Sequence, residues 1–140
     1  MGRNFPLSGL LRLRELQENK AAGELAAANK ALHDKQATAR QVRETAAQAQ
    51  QNPIDRATML AGAAARSSTS SMLLELDASI NSLHEKAQHS IQLHQDARRD
   101  VKALEKLADK HACELRLDDL SREQALLDDL GSNGSRERNA

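Results

Sequence analysis

Three histidines recur at equal intervals along the chain and suggest a metal site. His84, His89 and His94 are each five residues apart. Imidazole nitrogens are common zinc ligands, but ligands on one helical face need a spacing of three or four residues. A five-residue step turns the side chain by about 140° at ~3.6 residues per turn, so the three rings diverge. The spacing therefore predicts neither a metal site nor a bound cofactor.

Two pairs of neighbouring carboxylates are the remaining candidates for catalysis. Asp118–Asp119 and Asp128–Asp129 lie in the last quarter of the chain. General acid–base catalysis needs a cleft that desolvates such carboxylates and shifts their pKa values. A pair of helices offers no such cleft. The chain also contains no glycine-rich phosphate loop and no nucleophile elbow. We expect a solvated acidic face, no enzymatic activity and no small-molecule substrate.

A leucine- and arginine-rich stretch, SGLLRLREL at residues 8–16, indicates a partner surface instead. An interfacial membrane helix would carry Trp or Phe and an excess of basic residues. A nucleic-acid-binding helix would present a basic face without acids, whereas Glu15 and Glu18 accompany these arginines. Leu7, Leu10, Leu13 and Leu16 step by three residues only. The pattern leaves two interpretations open: a packed end of a helix pair, or a docking surface for another protein.

The composition predicts the elements that carry these residues. Of 140 residues, 39% are hydrophobic and 29% are charged, while the only aromatic residue is Phe5. A compact globule would normally bury several aromatic side chains. Long helices or coiled coils have this Ala-, Leu-, Glu-, Lys- and Arg-rich profile. The net charge is zero, which gives no overall attraction to nucleic acid or anionic lipid.

Breaks in the helical pattern predict where the elements begin and end. We expect a first helix over 7–51, a tip over 52–71 and a second helix over 72–130. Asn52 and Pro53 stop the first helix and could cap a short one, and the SSTSS run at 67–71 supplies a second break. Gly131 is expected to end the second helix, with 131–140 as a disordered tail.

Heptad spacing predicts how the two helices pair. In the first helix the seam is Ala21, Leu25, Ala28, Leu32, Lys35, Ala39, Val42, Ala46 and Ala49. In the second it is Leu73, Leu76, Ile80, Leu83, Ala87, Ser90, His94, Ala97, Val101, Leu104 and Ala108, shifting afterwards to Cys113, Leu117, Leu120 and Leu127. Such seams bury themselves against a partner helix. The predicted fold class is all-α: two long helices in an antiparallel coiled-coil hairpin, a single domain over 1–130, with a short helix or loop at the tip.

Two segments at opposite ends of the chain resemble a known family. FPLSGLLRLRELQENKAAGELAAAN (5–29) is similar to the N-terminal helix of the flagellar FliJ family, which has an LLxLRExxExxAxxELAxA-like pattern. DVKALEKLADKHACELRLDDLSREQALLDDL (100–130) resembles the family's C-terminal half, a KxLEKLxE core followed by EQxxLDE. The two stretches occur in the family's order and cover about 56 of the 140 residues.

The resemblance implies both a fold and a function. Family members form a two-helix antiparallel coiled coil similar to the rotor stalk of rotary ATPases. They belong to the bacterial flagellar type III protein export apparatus, and so to flagellum biogenesis, motility and chemotaxis. Their partners are the hexameric flagellar export ATPase, which they stimulate, the export gate membrane protein and export chaperones. The implied location is the cytoplasm, peripherally at the cytoplasmic side of the inner membrane. The alternative is a structural coiled-coil adaptor that forms homodimers without an ATPase partner.

The resemblance also implies which residues bind these partners. For the ATPase ring the expected residues are Leu10, Leu11, Arg14, Glu15, Leu16, Lys102, Leu104, Lys106 and Leu107. For the export gate they are Val42, Leu73, Leu76, Ile80 and Leu83. Family members often carry aromatic residues in the latter region, and this chain has none there. No nucleic-acid partner is expected.

Overall fold

Two long α-helices make up the protein. The computed structural model describes residues 4–49 and 52–139. Helix α1 runs over Ser8–Gln48, 41 residues, and helix α2 over Arg56–Arg138, 83 residues. The two helices pack against each other, and no strand occurs within the described ranges. The all-α helical-hairpin fold class is thereby confirmed.

The chain forms two compact units, and in each unit a part of α1 packs against a part of α2. The terminal unit comprises Met1–Gln17 and Ala97–Ala140, and the middle unit comprises Glu18–Asp96. Each unit therefore contains one part of α1 and one part of α2. A single coiled-coil domain over 1–130 stays a prediction.

The helices run antiparallel in both units. In the middle unit, a groove is lined by Ala46 near the end of α1, by Ala49 just after it, and by Thr69 and Met72 of α2. Earlier in α1, Arg43 donates a hydrogen bond to Asp77 across 3.2 Å. In the terminal unit, Arg14 of α1 reaches Asp100, and the more N-terminal Phe5 contacts His111. In each unit, therefore, earlier residues of α1 meet later residues of α2.

The predicted seams form the interface. Every seam residue predicted for α2 between Leu73 and Ala108 is buried or half-buried. In α1 the prediction holds except at Lys35 and Ala49, which are exposed. Ala49 lies beyond the last helical residue, which removes it from the regular helix. Heptad periodicity therefore identified the interface of both units.

Small side chains occupy the tightest positions of the middle unit. Ala28, Ala39 and Ala87 are 6%, 1% and 3% exposed, and the buried polar residue among them is Ser90. In the terminal unit the buried residues are larger, Val101 and Leu104. Small residues let two helical backbones approach closely but bury little apolar area each, so stability is distributed along the seam.

The predicted tip over 52–71 contains a helix, as expected, but the predicted break at its end, the SSTSS run, is wrong. Residues 52–55 are not helical, but α2 begins at Arg56 and continues through the SSTSS run. Serine and threonine weaken a helix by only about 0.5 kcal/mol each relative to alanine, and no proline or glycine lies in this run. An established helix can cross such a stretch because propagation is easier than nucleation. The predicted end of the first helix at Gln51 lies outside the described residues.

Asp55 caps α2, whereas Asn52 was predicted as the cap of the short tip helix that forms the first part of α2. The Oδ1 atom of Asp55 accepts hydrogen bonds from the Thr58 hydroxyl at 2.6 Å and the Thr58 backbone N–H at 2.7 Å. The hydroxyl bond first, and then the backbone bond, hold the pKa of the Asp55 carboxyl below its usual value. A carboxylate at this position satisfies an orphan amide of the first turn and interacts favourably with the helix dipole.

The end of α2 also differs from the prediction. Gly131 does not stop the helix, and residues 131–138, expected to be disordered, are helical. The backbone at the described glycines has no positive φ, so Gly131 does not form the left-handed cap that usually ends a helix. The expected shift of the seam after Ala108 is likewise wrong. His111 and Leu115 continue the old seam, while Cys113, Leu117, Leu120 and Leu127 are exposed.

Candidate functional site

Leucines wind around the first helix instead of following one face. A step of three residues turns a side chain by about 300°, so four such leucines sweep through half a circle. Their exposed fractions follow this rotation: 40% at Leu7, 38% at Leu10, 49% at Leu13 and 62% at Leu16. The seam passes instead through Leu11, Arg14 and Glu18, which are half-buried. One neighbouring helix cannot cover a leucine row of this geometry.

The second helix contributes both packing and exposed residues to the terminal unit. Val101 and Leu104, 4% and 8% exposed, lie in the interface, whereas Leu107 is 47% exposed. Lys102 and Lys106 are exposed beside them. In this unit α2 thus presents both leucine and lysine side chains to solvent.

An ion pair and a ring contact fasten the start of α1 to α2. The Arg14 guanidinium lies 3.5 Å from the Asp100 carboxylate and also donates to Gln17 at 3.1 Å. Phe5 and His111 hold their ring centroids 5.7 Å apart at an interplanar angle of 54°. A tilted contact of this kind is a favoured geometry for aromatic rings. Phe5, the sole aromatic residue, is therefore used to hold the segment before α1 against α2.

All nine residues predicted to bind the ATPase ring lie in the terminal unit, but they differ in exposure. Leu10, Glu15, Leu16, Lys102, Lys106 and Leu107 are exposed. Leu11 and Arg14 are half-buried, and Leu104 is buried. The last three can support a partner surface through packing, whereas the first six are free to touch a partner. The sequence prediction omitted Leu13, although its membership of the three-residue series was a usable signal.

The residues predicted to contact the export gate lie within the middle unit. Val42, Leu73, Leu76, Ile80 and Leu83 are all half-buried seam residues. Val42 lines a shallow groove of about 380 Å³ with Thr45, Thr69 and Met72. Met72, 47% exposed, is an accessible apolar side chain of this groove and was not in the predicted set. Ile80 lines a second groove, beside the Arg43–Asp77 ion pair.

The histidines and acidic pairs occupy solvated positions. His84 and His89 are exposed, and His94 is half-buried in the seam. Within residues 4–49 and 52–139, no group of three or more His, Cys, Asp or Glu side chains could hold a metal ion. Asp118 pairs with Arg122 at 3.1 Å, and Asp128 accepts a hydrogen bond from Gln124 at 3.2 Å. These carboxylates form local helix-surface pairs.

Comparison with known proteins assigns the chain to a family. No curated protein and no solved structure matches it significantly. Neither helix, over its described residues, has a stretch long and apolar enough to span a bilayer. The model of one protein family, described as flagellar FliJ protein, matches residues 3–140. The chain therefore belongs to the flagellar FliJ family, whose members are non-catalytic components of the flagellar protein export apparatus.

Proposed function

We propose that this protein binds the hexameric flagellar export ATPase through its terminal unit and stimulates ATP hydrolysis. The observation that carries the proposal is the exposure of Leu10, Leu16 and Leu107 beside an interface already closed by Val101 and Leu104. Exposed leucines on both helices of one unit favour a protein partner. Family membership identifies the export apparatus as the setting.

The charges around these leucines suit a ring subunit better than a lipid or nucleic acid. Lys102 and Lys106 of α2 and Glu15 of α1 are all exposed, so this unit presents charges of both signs. Mixed charges at the rim of an interface select orientation more than they add affinity. Stimulation then requires that the terminal unit contact some conformations of the ring better than others.

The middle unit is proposed to link the ATPase to the export gate and to export chaperones. Val42 and Met72 border the groove between the helices, and Leu73, Leu76, Ile80 and Leu83 support it from the seam. Half-buried seam residues present only their edges to a partner. We therefore expect Met72 and Val42 to make the direct contact with the gate.

The proposed place of action follows from these partners. The protein would work in the cytoplasm, peripherally bound at the cytoplasmic side of the inner membrane through the export apparatus. It would act without catalysing a reaction itself, and would thereby support motility and chemotaxis.

Stimulation of the cognate export ATPase tests the first part of the proposal. The wild-type chain should increase hydrolysis and hexamer formation, and a triple variant with Leu10, Leu16 and Leu107 changed to alanine should lose this effect. The matched control is Leu74→Ala, because Leu74 is 71% exposed but belongs to the middle unit. Unchanged hydrolysis and assembly across stoichiometries would reject the proposal.

Light scattering separates the ATPase partner from the homodimeric adaptor. The proposal expects a monomer that joins the ATPase. A concentration-independent dimer that dissociates in the triple leucine variant would favour the adaptor. For the gate, Met72→Ala should weaken binding to the gate's cytoplasmic domain, with Leu74→Ala as control. Equal binding by both variants would exclude Met72 as a contact.

A further inference from the structure

The C-terminal part of α2 carries a second apolar row, which we call the outer stripe. It consists of Cys113, Leu117, Leu120 and Leu127. The intervals of four, three and seven residues are those of a coiled-coil seam. The three leucines are 62%, 60% and 63% exposed, and Cys113 is exposed as well.

The outer stripe faces away from α1. Leu115 lies on the face of α2 that carries the seam residues Leu104 and His111, and it is half-buried. Cys113 and Leu117 each lie two residues from it, and a two-residue step is about 200° around a helix. A helix that covers Leu115 cannot also cover the outer stripe. Every residue from Leu120 to Asn133 is exposed, so α1 leaves this region uncovered on all sides.

Acidic residues surround the stripe and define the charge of its partner. Over residues 113–131, six acidic residues stand against two arginines, a net charge of −4. One of these arginines, Arg122, already pairs with Asp118 at 3.1 Å. The field around the leucines is therefore negative. Anionic lipid and nucleic acid are poor partners for such a surface, because both are repelled by it.

We propose that the outer stripe docks an amphipathic α-helix of a protein partner, with leucine-type residues on its contact face and Lys or Arg on both flanks. Heptad spacing selects a helix as the occupant, because each exposed leucine then fits between residues of the facing helix. The acidic flanks select basic residues at the edges of that helix. This surface is separate from the leucines assigned to the ATPase ring, so the inference does not depend on the proposed function.

A pair of synthetic helical peptides tests the inference on the full chain. Both peptides match the stripe in length and carry leucine at the a and d positions. One has lysine at e and g, and the other has glutamate. In fluorescence anisotropy, the lysine peptide should bind at least about tenfold more tightly than the glutamate peptide, since opposite charges attract and like charges repel across the interface.

Two adjacent leucines of equal exposure supply the matched variants. Leu126 and Leu127 are both 63% exposed, but only Leu127 belongs to the outer stripe. Leu127→Ala should weaken binding of the lysine peptide by about tenfold, a loss expected for one leucine withdrawn from an interface. Leu126→Ala should leave it unchanged. Far-UV circular dichroism confirms that both variants stay helical.

The only cysteine gives a readout that needs no substitution. Cys113 is exposed at one end of the stripe, so the docked lysine peptide should slow its alkylation by a maleimide. Equal binding of the two peptides, equal effects of the two leucine variants, or unchanged alkylation would each overturn the inference. So would light scattering that finds a dimer dissociated by Leu127→Ala, since a second copy would then cover the stripe. Because ATPase stimulation is not measured here, failure of this test leaves the proposed function standing.

Discussion

The contrast between Leu104 and Leu107 provides a quantitative test of the packing in the terminal unit. The two leucines lie three residues apart on α2 and are 8% and 47% exposed. Full burial of a leucine side chain contributes about 1.5–3 kcal/mol of transfer free energy. In proportion to burial, Leu104 contributes about 1.4–2.8 kcal/mol and Leu107 about 0.8–1.6 kcal/mol. Leu104→Ala also leaves a cavity beside Val101, which raises its cost to about 2–4 kcal/mol.

Urea unfolding followed by far-UV circular dichroism measures this difference. Leu104→Ala should lower the unfolding midpoint clearly more than Leu107→Ala, with the same slope in both variants, because the area exposed on unfolding is nearly unchanged. Equal midpoints, or a larger loss for Leu107→Ala, would refute the reasoning. The side chain that faces α1 would then not be the one that stabilises the terminal unit.

Three further predictions concern the Asp55 cap of α2, the buried Ala39 of α1 and Gly131 of α2. Hydrogen bonds from Thr58 lower the pKa of the Asp55 carboxyl. The stability that this carboxylate contributes is therefore fully present above the usual carboxyl pKa, and it is lost as the pH falls through the lowered pKa. Thermal melts of Asp55→Ala and wild type should therefore differ at neutral pH and converge in strong acid. Ala39→Leu should destabilise the protein by about 1–3 kcal/mol through overpacking, whereas Leu at the exposed Ala37 should cost little in the same urea titration. Gly131→Ala should raise helicity and stabilise that part of α2 by about 1 kcal/mol, because no atom lies within 4 Å of the added Cβ. A loss of stability or helicity in this variant would show that Gly131 adopts a left-handed conformation and that α2 does not continue through it in solution.

The interface was predictable from the sequence because one physical rule determines it. Apolar residues at alternating steps of three and four must face a partner helix, and Leu73, Leu76 and Ile80 do so. The rule says less about a position such as Lys35, where a charged residue occupies a seam position and turns to solvent. It also does not tell an inner seam from an outer stripe. Leu117 and Leu120 have heptad spacing, yet they face away from α1.

The helix boundaries were less predictable, because several local signals compete. Asn52 and Asp55 are both good capping residues, and in the structure Asp55 accepts the Thr58 backbone N–H and hydroxyl. A serine-rich run such as 67–71 favours a break only slightly, and a helix already formed on either side outweighs that preference. The partner surface near Ser8–Leu16 stays a prediction, and the structure adds only that several of its leucines are exposed. Whether a given leucine faces α1 or solvent depended on the register between helices, which places Leu104 inside and Leu107 outside.

Alanine and leucine occupy different places in this protein. Alanines lie in the interface between the helices, whereas many leucines are exposed and available to a partner. Ala28, Ala39 and Ala87 are among the buried residues, whereas Leu16 and Leu120 are at least 60% exposed. A helix pair built only for its own stability would do the reverse, since each buried leucine contributes more than an alanine. Leaving leucines in water lowers solubility and offers no folding energy. Their placement is explained if these leucines are buried when partners bind. Association then supplies the apolar burial free energy that the alanine seam does not.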